Sequence, residues 1–289
     1  MMSLLVVGSL HWDVVVNAPH IPGRDETVAG QSVNYVFGGK GGNQAVAADQ
    51  HGALTHFAGR IGGDAFGAQI LNRLKQTNIR LAGLQRGEGA SGMSVAIVDK
   101  NGDYGATIVS GENLLIDAKA IQFPDALGVL LLQNEIDKKV NLAVAKRAKE
   151  QGAAIWLNAA PARALDDELL QLLDVMIVNR VEAEFYKSHL ADHVKQRLTL
   201  IETQGGAGVA IHRHGQKPTH HEAFGVKVLS SHGAGDMFSG ALAARHLMGH
   251  SMEDATHYAQ AAAALHISSP LETRSTITPE QVLAFMDTR

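Results

Sequence analysis

Asp236 closes the run Gly233-Ala234-Gly235-Asp236 and leads into Met237-Phe238-Ser239-Gly240-Ala241-Leu242, a stretch with amphipathic helical character. A glycine-rich turn that opens a helix lets successive backbone N–H groups converge, and the helix N-terminus adds positive potential. That combination suits negative charge developing on a transferred phosphoryl group. Asp236 falls in the first helical turn, where the dipole favours its ionised form, ready to accept a proton from an attacking hydroxyl. An ordinary Asp capping its own helix is the competing reading. A second run, Gly38-Gly39-Lys40-Gly41-Gly42-Asn43-Gln44-Ala45, has four glycines in five positions, with Lys40 and Asn43 as donors for hydroxyl groups. It is not a P-loop, because Gly41 follows the lysine where Ser or Thr would be needed, and no dinucleotide fingerprint follows a predicted strand. The plainer alternative is a flexible loop before a helix, although so much glycine costs ordering entropy.

Two further groups lie at predicted strand ends. Asn179-Arg180-Val181-Glu182 could reach a hydrated Mg²⁺ or phosphates, or could be a capping box. Thr203-Gln204-Gly205-Gly206-Ala207-Gly208 could admit a nucleotide against its backbone, or could be a hairpin turn.

The elements that must position these residues alternate. Strands are predicted at Leu4–Val7, Thr55–Ala58, Leu127–Leu132, Ala154–Leu157, Val175–Val178, Leu198–Glu202 and Gly208–His212. Helices are predicted at Asn43–Gln50, Lys138–Gln151, Asp166–Leu173, Asp236–Met248 and Met252–His266. Strands apolar on both sides, alternating with helices, imply a parallel sheet covered on both faces. Two regions break the pattern. Asp13–Phe37 has Val14-Val15-Val16 and then Thr27–Val36 with period-two character, and Met93–Val109 resembles a hairpin turning at Lys100-Asn101-Gly102-Asp103. Together they predict a small second sheet placed where a lid would belong.

Composition narrows the class. The chain has 289 residues, 45% hydrophobic and 19% charged, with no cysteine and a net charge of −4. This is a globular profile without thiolate chemistry, and it fits a reducing cytoplasm. The charge balance argues against nucleic acid as a partner, and no apolar run is long enough to span a membrane. The N-terminus reads as a first strand and not as a signal peptide. Of 15 histidines, His212, His214, His220 and His221 share one stretch. With Gly215, Lys217 and Pro218 nearby, that stretch is predicted to be an exposed hairpin and not a metal site.

The four motifs, in their order along nearly the whole chain, resemble the ribokinase-like sugar kinases of the PfkB family. Pro22-Gly23, Glu26-Thr27-Val28 and Gly30 add to the likeness, as do Gly62, Asp64 and Gly67. So do Leu157-Asn158, Ala160-Pro161-Ala162-Arg163 and Asp167-Glu168-Leu169-Leu170. The resemblance implies one α/β domain over residues 1–289, a doubly wound, mostly parallel sheet with helices on both faces. A small β-sheet lid would come from about 13–37 and 93–109. It implies ATP, Mg²⁺ and in-line transfer to a hydroxyl, a primary one, of a pentose or similar sugar. By that resemblance Asp236 is the base, and the Gly233, Ala234 and Gly235 backbone is the anion hole. Asp13, Gly39, Lys40, Asn43 and Glu135 hold the sugar, with His11 beside them. Asn179 and Glu182 serve phosphate and Mg²⁺, Thr203, Gly205 and Gly208 the nucleotide, and Gln260 stands near the adenine. A homodimer through the lids is expected.

Departures from the family pattern set further expectations. Ser230-Ser231-His232 stands where relatives carry an Asp that binds an activating monovalent cation, and His266–Glu272 replaces a segment of small carbonyl donors. K⁺ activation is therefore expected to be lost or weakened, with His232 or Arg274 supplying the charge. His11 replaces an Asn at the sugar pocket and Trp12 adds bulk, so a nucleoside or ketohexose is an alternative acceptor. A sugar- or nucleotide-binding regulator is a third reading, opposed by the retained Asp236, Lys40, Asn43 and Glu182. Between Tyr186 and Leu200 the chain reads as too short for the family's helix there, and Arg180 is unusual in its motif.

Overall fold

The strand Ser3–Val7 (β1) turns Leu4 and Val6 into one apolar cluster and Leu5 and Val7 into another, so it is buried on both faces. This is the environment that its unbroken apolar sequence requires. The computed structural model describes residues 2–101 and 103–288, with side chains for all of these except 104, 189 and 191–196. After β1 come β2 (His11–Asn17), β3 (Ser32–Gly38), α1 (Lys40–Gln50), β4 (Thr55–Ile61), α2 (Ala65–Leu74) and β5 (Arg80–Arg86). Next are β6 (Met93–Val98), β7 (Tyr104–Val109), β8 (Leu127–Gln133), α3 (Lys138–Glu150), β9 (Ala154–Asn158), α4 (Asp167–Leu172) and β10 (Val175–Asn179). The chain continues through α5 (Arg180–Gln196), β11 (Thr199–Thr203), β12 (Val209–His212), β13 (Thr219–His221), α6 (Ala234–Leu247), α7 (Met252–Ser268) and α8 (Pro279–Asp287).

Nine strands form one sheet in the order β13-β12-β11-β10-β9-β8-β1-β4-β5, and only the β11–β12 and β12–β13 pairs are antiparallel. From β1 the order grows outward through β4 and β5, then resumes on the other side at β8. The carboxyl ends beside β1 and β8 are therefore a switch point, where α/β sheets open a crevice. Helices α1, α6, α7 and α8 cover one face, and α3, α4 and α5 the other. Local signals agree with this layout. Asp64 caps α2 by accepting from Gly67 N–H at 2.8 Å, and Thr278 with Gln281 forms a capping box on α8.

The second sheet runs β3-β2-β6-β7, with β2 and β6 parallel and the other pairs antiparallel. Both regions that broke the βα alternation therefore form one sheet, as expected. Register puts Val14, Val16, Val33, Tyr35, Val95 and Ile97 on a common side. Tyr35 is 57% and Val33 47% exposed.

Several expectations need correction. The predicted strand Thr27–Val36 begins only at Ser32, where pairing with Asn17 starts. Gly102 of the predicted turn lies outside the described residues. The span Tyr186–Leu200 is not too short for a helix, since the helix that starts at Arg180 continues to Gln196. The helices over Ala65–Leu74 and Pro279–Asp287 and the edge strand Arg80–Arg86 had no counterpart among the predicted elements. The histidine-rich stretch is a hairpin of β12 and β13, and His221 stacks toward His257 with ring centroids 5.7 Å apart. No helix among the described residues is long and apolar enough to cross a membrane.

Candidate active site

The second glycine run is not a loop. Gly39, with φ of 84°, turns the chain, and Lys40, Gly41, Gly42 and Asn43 are already the first turn of α1. Lys40 and Asn43 are thus three residues apart on one helical face. The N-terminus of α1 is tied to the β1–β2 connection. Gly42 N–H donates to Ser9 O at 2.9 Å, and the Lys40 N–H and Ser9 hydroxyl both donate to Glu135 Oε2, at 2.8 and 2.5 Å. Glu135 follows β8, so it bridges the two strand ends at the switch point. Gly41 permits the close approach, because a Cβ there would sit 2.6 Å from the Gly8 backbone.

Asp236 lies in the first turn of α6, after Gly233 in the left-handed region with φ of 78°. It accepts from Gln44 Nε2 at 2.9 Å and from Asn43 Nδ2 at 3.3 Å. Gln44 Oε1 in turn accepts from Gln133 Nε2 at 2.8 Å, so two fully buried amides carry the network into the core. Burial pushes the Asp236 carboxyl above the usual carboxylate range. The Lys40 cation and the bonds from Gln44 and Asn43 pull it back, while Glu135 pushes it further up. Desolvation thus opposes the ionised form that the helix N-terminus favours. A raised carboxyl is a stronger base once ionised.

Two cavities meet at this residue. One, of about 480 Å³, is lined by Lys40, Asn158, Asn179, Glu182, Thr203 and the turn Gly233–Asp236, together with neighbouring apolar residues and Ser231. The other, of about 340 Å³, lies between β3, α1 and α6 and is lined by Trp12, Tyr35, Phe37, Asn43, Arg73, His232 and Arg274 among others. Gly233 and Asp236 line both. A Cβ on Gly235 would meet nothing within 4 Å, so this turn faces open space.

The capping geometry of the third motif is present. Asn179 N–H donates to Glu182 Oε2 at 2.8 Å and Glu182 N–H to Asn179 Oδ1 at 3.0 Å. Glu182 is nonetheless buried in the cavity wall, and burial raises its carboxyl against the bonds from Asn179 and the charge of Lys40. Asp13 accepts from Ser94 N–H at 2.8 Å, holding β2 to β6. His11 is 3% exposed, its Nδ1 is 3.9 Å from Asp13 Oδ1, and its Nε2 has no partner among the described residues. His11, Asp13, Gly39 and Glu135 sit at the base of the small sheet but line neither cavity. Thr203 reaches the larger cavity, whereas Gly205 and Gly208 belong to the β11–β12 turn. Gln260 is buried within α7, and neither amide atom has a partner among the described residues. Sequence reasoning did not assign Gln44, Gln133, Ser9, Asn158 or Arg73. The signal for Gln133 was a polar residue directly after an unbroken apolar strand.

The pattern of the pfkB family carbohydrate kinase matches residues 1–279, and the chain belongs to that family. It is 31% identical to a ribokinase of Haemophilus influenzae over 99% of this chain and 98% of that one. A ribokinase structure from Thermotoga maritima superposes with a TM-score of 0.90 at 27% identity, covering 99% of this chain and 100% of that one. The structure of Arabidopsis thaliana ribokinase complexed with ribose and ATP gives 0.88 at 26% identity, over 99% of both chains. The fold and the family are those that the motifs implied, and the protein is an ATP-dependent sugar kinase.

Proposed function

We propose that the protein transfers the γ-phosphoryl group of ATP to a primary hydroxyl of a pentose or similar small sugar, with ribose the first candidate. The observation that carries this is the buried Asp236 carboxyl on the wall common to two cavities. The relatives called ribokinase, and the ribose and ATP held by the Arabidopsis protein, support the choice of sugar and donor.

Asp13, Gly39, Lys40, Asn43 and Glu135 hold the sugar in this reading. His11, whose buried Nε2 has no partner among the described residues, stands beside Asp13 in the group assigned to the sugar. Asp236 takes the hydroxyl proton as the oxygen attacks the γ-phosphorus. The new O–P bond forms as the bond to the ADP oxygen breaks. The N–H groups of the Gly233, Ala234 and Gly235 turn receive the charge of the transferred group. Asn179, Thr203, Gly205, Gly208 and Gln260 serve the nucleotide. The Glu182 carboxylate, buried beside Lys40 and Thr203, is a hard oxygen donor suited to Mg²⁺ bound through water. Such an ion supplies neutralisation of phosphate charge.

Residues 1–289 act as one unit in which the sheet of β2, β3, β6 and β7 is the lid, excluding water from the transfer. The apolar side of that lid, with Val33 and Tyr35 exposed, supports a homodimer formed lid to lid. The cysteine-free composition supports a cytoplasmic setting. A nucleoside is the second reading, because Trp12, Tyr35 and Phe37 give the smaller cavity an aromatic wall.

ADP release measured across ribose, deoxyribose, fructose and nucleosides tests both readings. Turnover of ribose supports the first, and turnover of nucleosides alone supports the second. No turnover of any sugar or nucleoside contradicts the proposal.

A further inference from the structure

The run that enters the Gly233 turn is held by Arg274, alongside His266 Nε2, 3.3 Å from His232 O, and two backbone bonds to the Ile267 carbonyl. Arg274, in the 3₁₀ segment Leu271–Thr276, is 6% exposed. Its Nη2 donates to Ser230 O at 2.9 Å, its Nη1 to His232 O at 3.0 Å and its Nε to Ser269 O at 3.2 Å. Three main-chain oxygens from two segments, one just before the turn and one just after α7, thus converge on one guanidinium. Its own carbonyl is anchored by Gln50 Nε2 of α1 at 3.0 Å. Arg274 also lines the smaller cavity together with His232, Gly233 and Asp236.

The resemblance set out above implies a monovalent cation bound in this neighbourhood through an Asp at the position of Ser230. The residues present do not fit one. Ser230 brings no carboxylate, and the carbonyl oxygens of Ser230, His232 and Ser269 already accept from a charged, planar five-donor group. His266 beside it does not supply the charge as well. Burial, then the Arg274 cation, hold His266 down at about 4, which leaves it neutral near pH 7.

We propose that Arg274 is a built-in cation: its guanidinium takes the structural and electrostatic part of a monovalent ion beside the phosphoryl-binding turn, so that the kinase works without K⁺. This rests on the kinase reading and deepens it. A guanidinium stays charged throughout the working pH range and cannot dissociate, so the turn before Asp236 is held in one arrangement whatever the ionic composition. Arg274 is here a positioning residue, acting through Ser230, His232 and the turn they lead into.

The test compares K⁺ with tetramethylammonium at matched ionic strength, on the wild type and on Arg274→Ala. Wild-type turnover and melting temperature should be the same in both salts. Arg274→Ala should lose on the order of tenfold or more in kcat in tetramethylammonium, as expected for removing a charged hydrogen-bonding partner. K⁺ or added guanidinium should restore part of that loss, a rescue that a merely structural arginine would not give. Should the alanine variant fail to fold, Arg274→Gln carries the same prediction with most of the side-chain volume kept. Strong K⁺ activation of the wild type would overturn the proposal, as would variants that match the wild type without any small cation. If no sugar is turned over, the melting temperatures still decide: a wild type stabilised by K⁺ over tetramethylammonium contradicts a built-in cation independently of the acceptor.

Discussion

The two glycine-rich helix starts, at α1 and at α6, look alike in sequence and differ in what their glycines face. At α1 a Cβ on Gly41 would run into the Gly8 backbone at 2.6 Å, and one on Gly39 would approach the His11 nitrogen at 2.8 Å. Those glycines let the helix N-terminus lie against the β1–β2 connection, which places Lys40 and Asn43 beside Glu135 and Asp236. At α6 a Cβ on Gly235 would meet nothing within 4 Å. That glycine faces the open space of the larger cavity, on the turn that the proposal assigns to the transferred phosphoryl group. One turn is packed chain against chain, and the other opens on the cavities where the proposed mechanism places the transferred group.

Breaking the second turn at its base should give the largest effect. Asp236→Asn removes the proton acceptor, and kcat should fall by roughly 10²–10⁴-fold, measured as ADP release at saturating sugar and ATP. Gly235→Ala sharpens the contrast. Its methyl enters open space, so the melting temperature should hold while kcat drops on the order of 10²-fold, as for loss of one oxyanion donor. Gly41→Ala should do the reverse. Overpacking against Gly8 should cost about 1–3 kcal/mol of stability in denaturant titration, with a weaker grip on the sugar following from the displaced helix. The smallest effect on rate belongs to the lid. Val33→Lys should leave kcat within about twofold, since surface changes are usually mild, yet shift a dimer to monomer in sedimentation velocity.

Much of this was legible in the chain. Doubly apolar strands such as Leu127–Leu132 gave the parallel sheet, and the departures at 13–37 and 93–109 gave the second sheet, because period and burial are local properties. The position of Asp236 in a first helical turn was readable from the glycines before it. Its charge balance was not, because it depends on Gln44, Gln133, Lys40 and Glu135, which tertiary packing brings together from distant parts of the sequence. Asn179 and Glu182 carried two readings in sequence, and the structure shows the capping pair and the cavity wall as the same residues. Helix Ala65–Leu74 went unread although its Asp64 cap was in view, since the glycines around it masked the apolar period. The clasp of Arg274 on three carbonyls could not be derived from spacing, since main-chain oxygens leave no mark in sequence.

The central claim is that Asp236 accepts the proton of a sugar hydroxyl, and the pH dependence of kcat/KM for the best acceptor tests it most directly. Only the ionised carboxylate can accept that proton, and burial raises the pKa of Asp236 above the usual carboxylate range. The wild-type rate should therefore fall as pH drops, along a limb lying above where an exposed Asp would titrate, and the residual rate of Asp236→Asn should lack that limb. An asparagine variant that keeps the wild-type rate, or the same acid limb at reduced rate, would contradict the account.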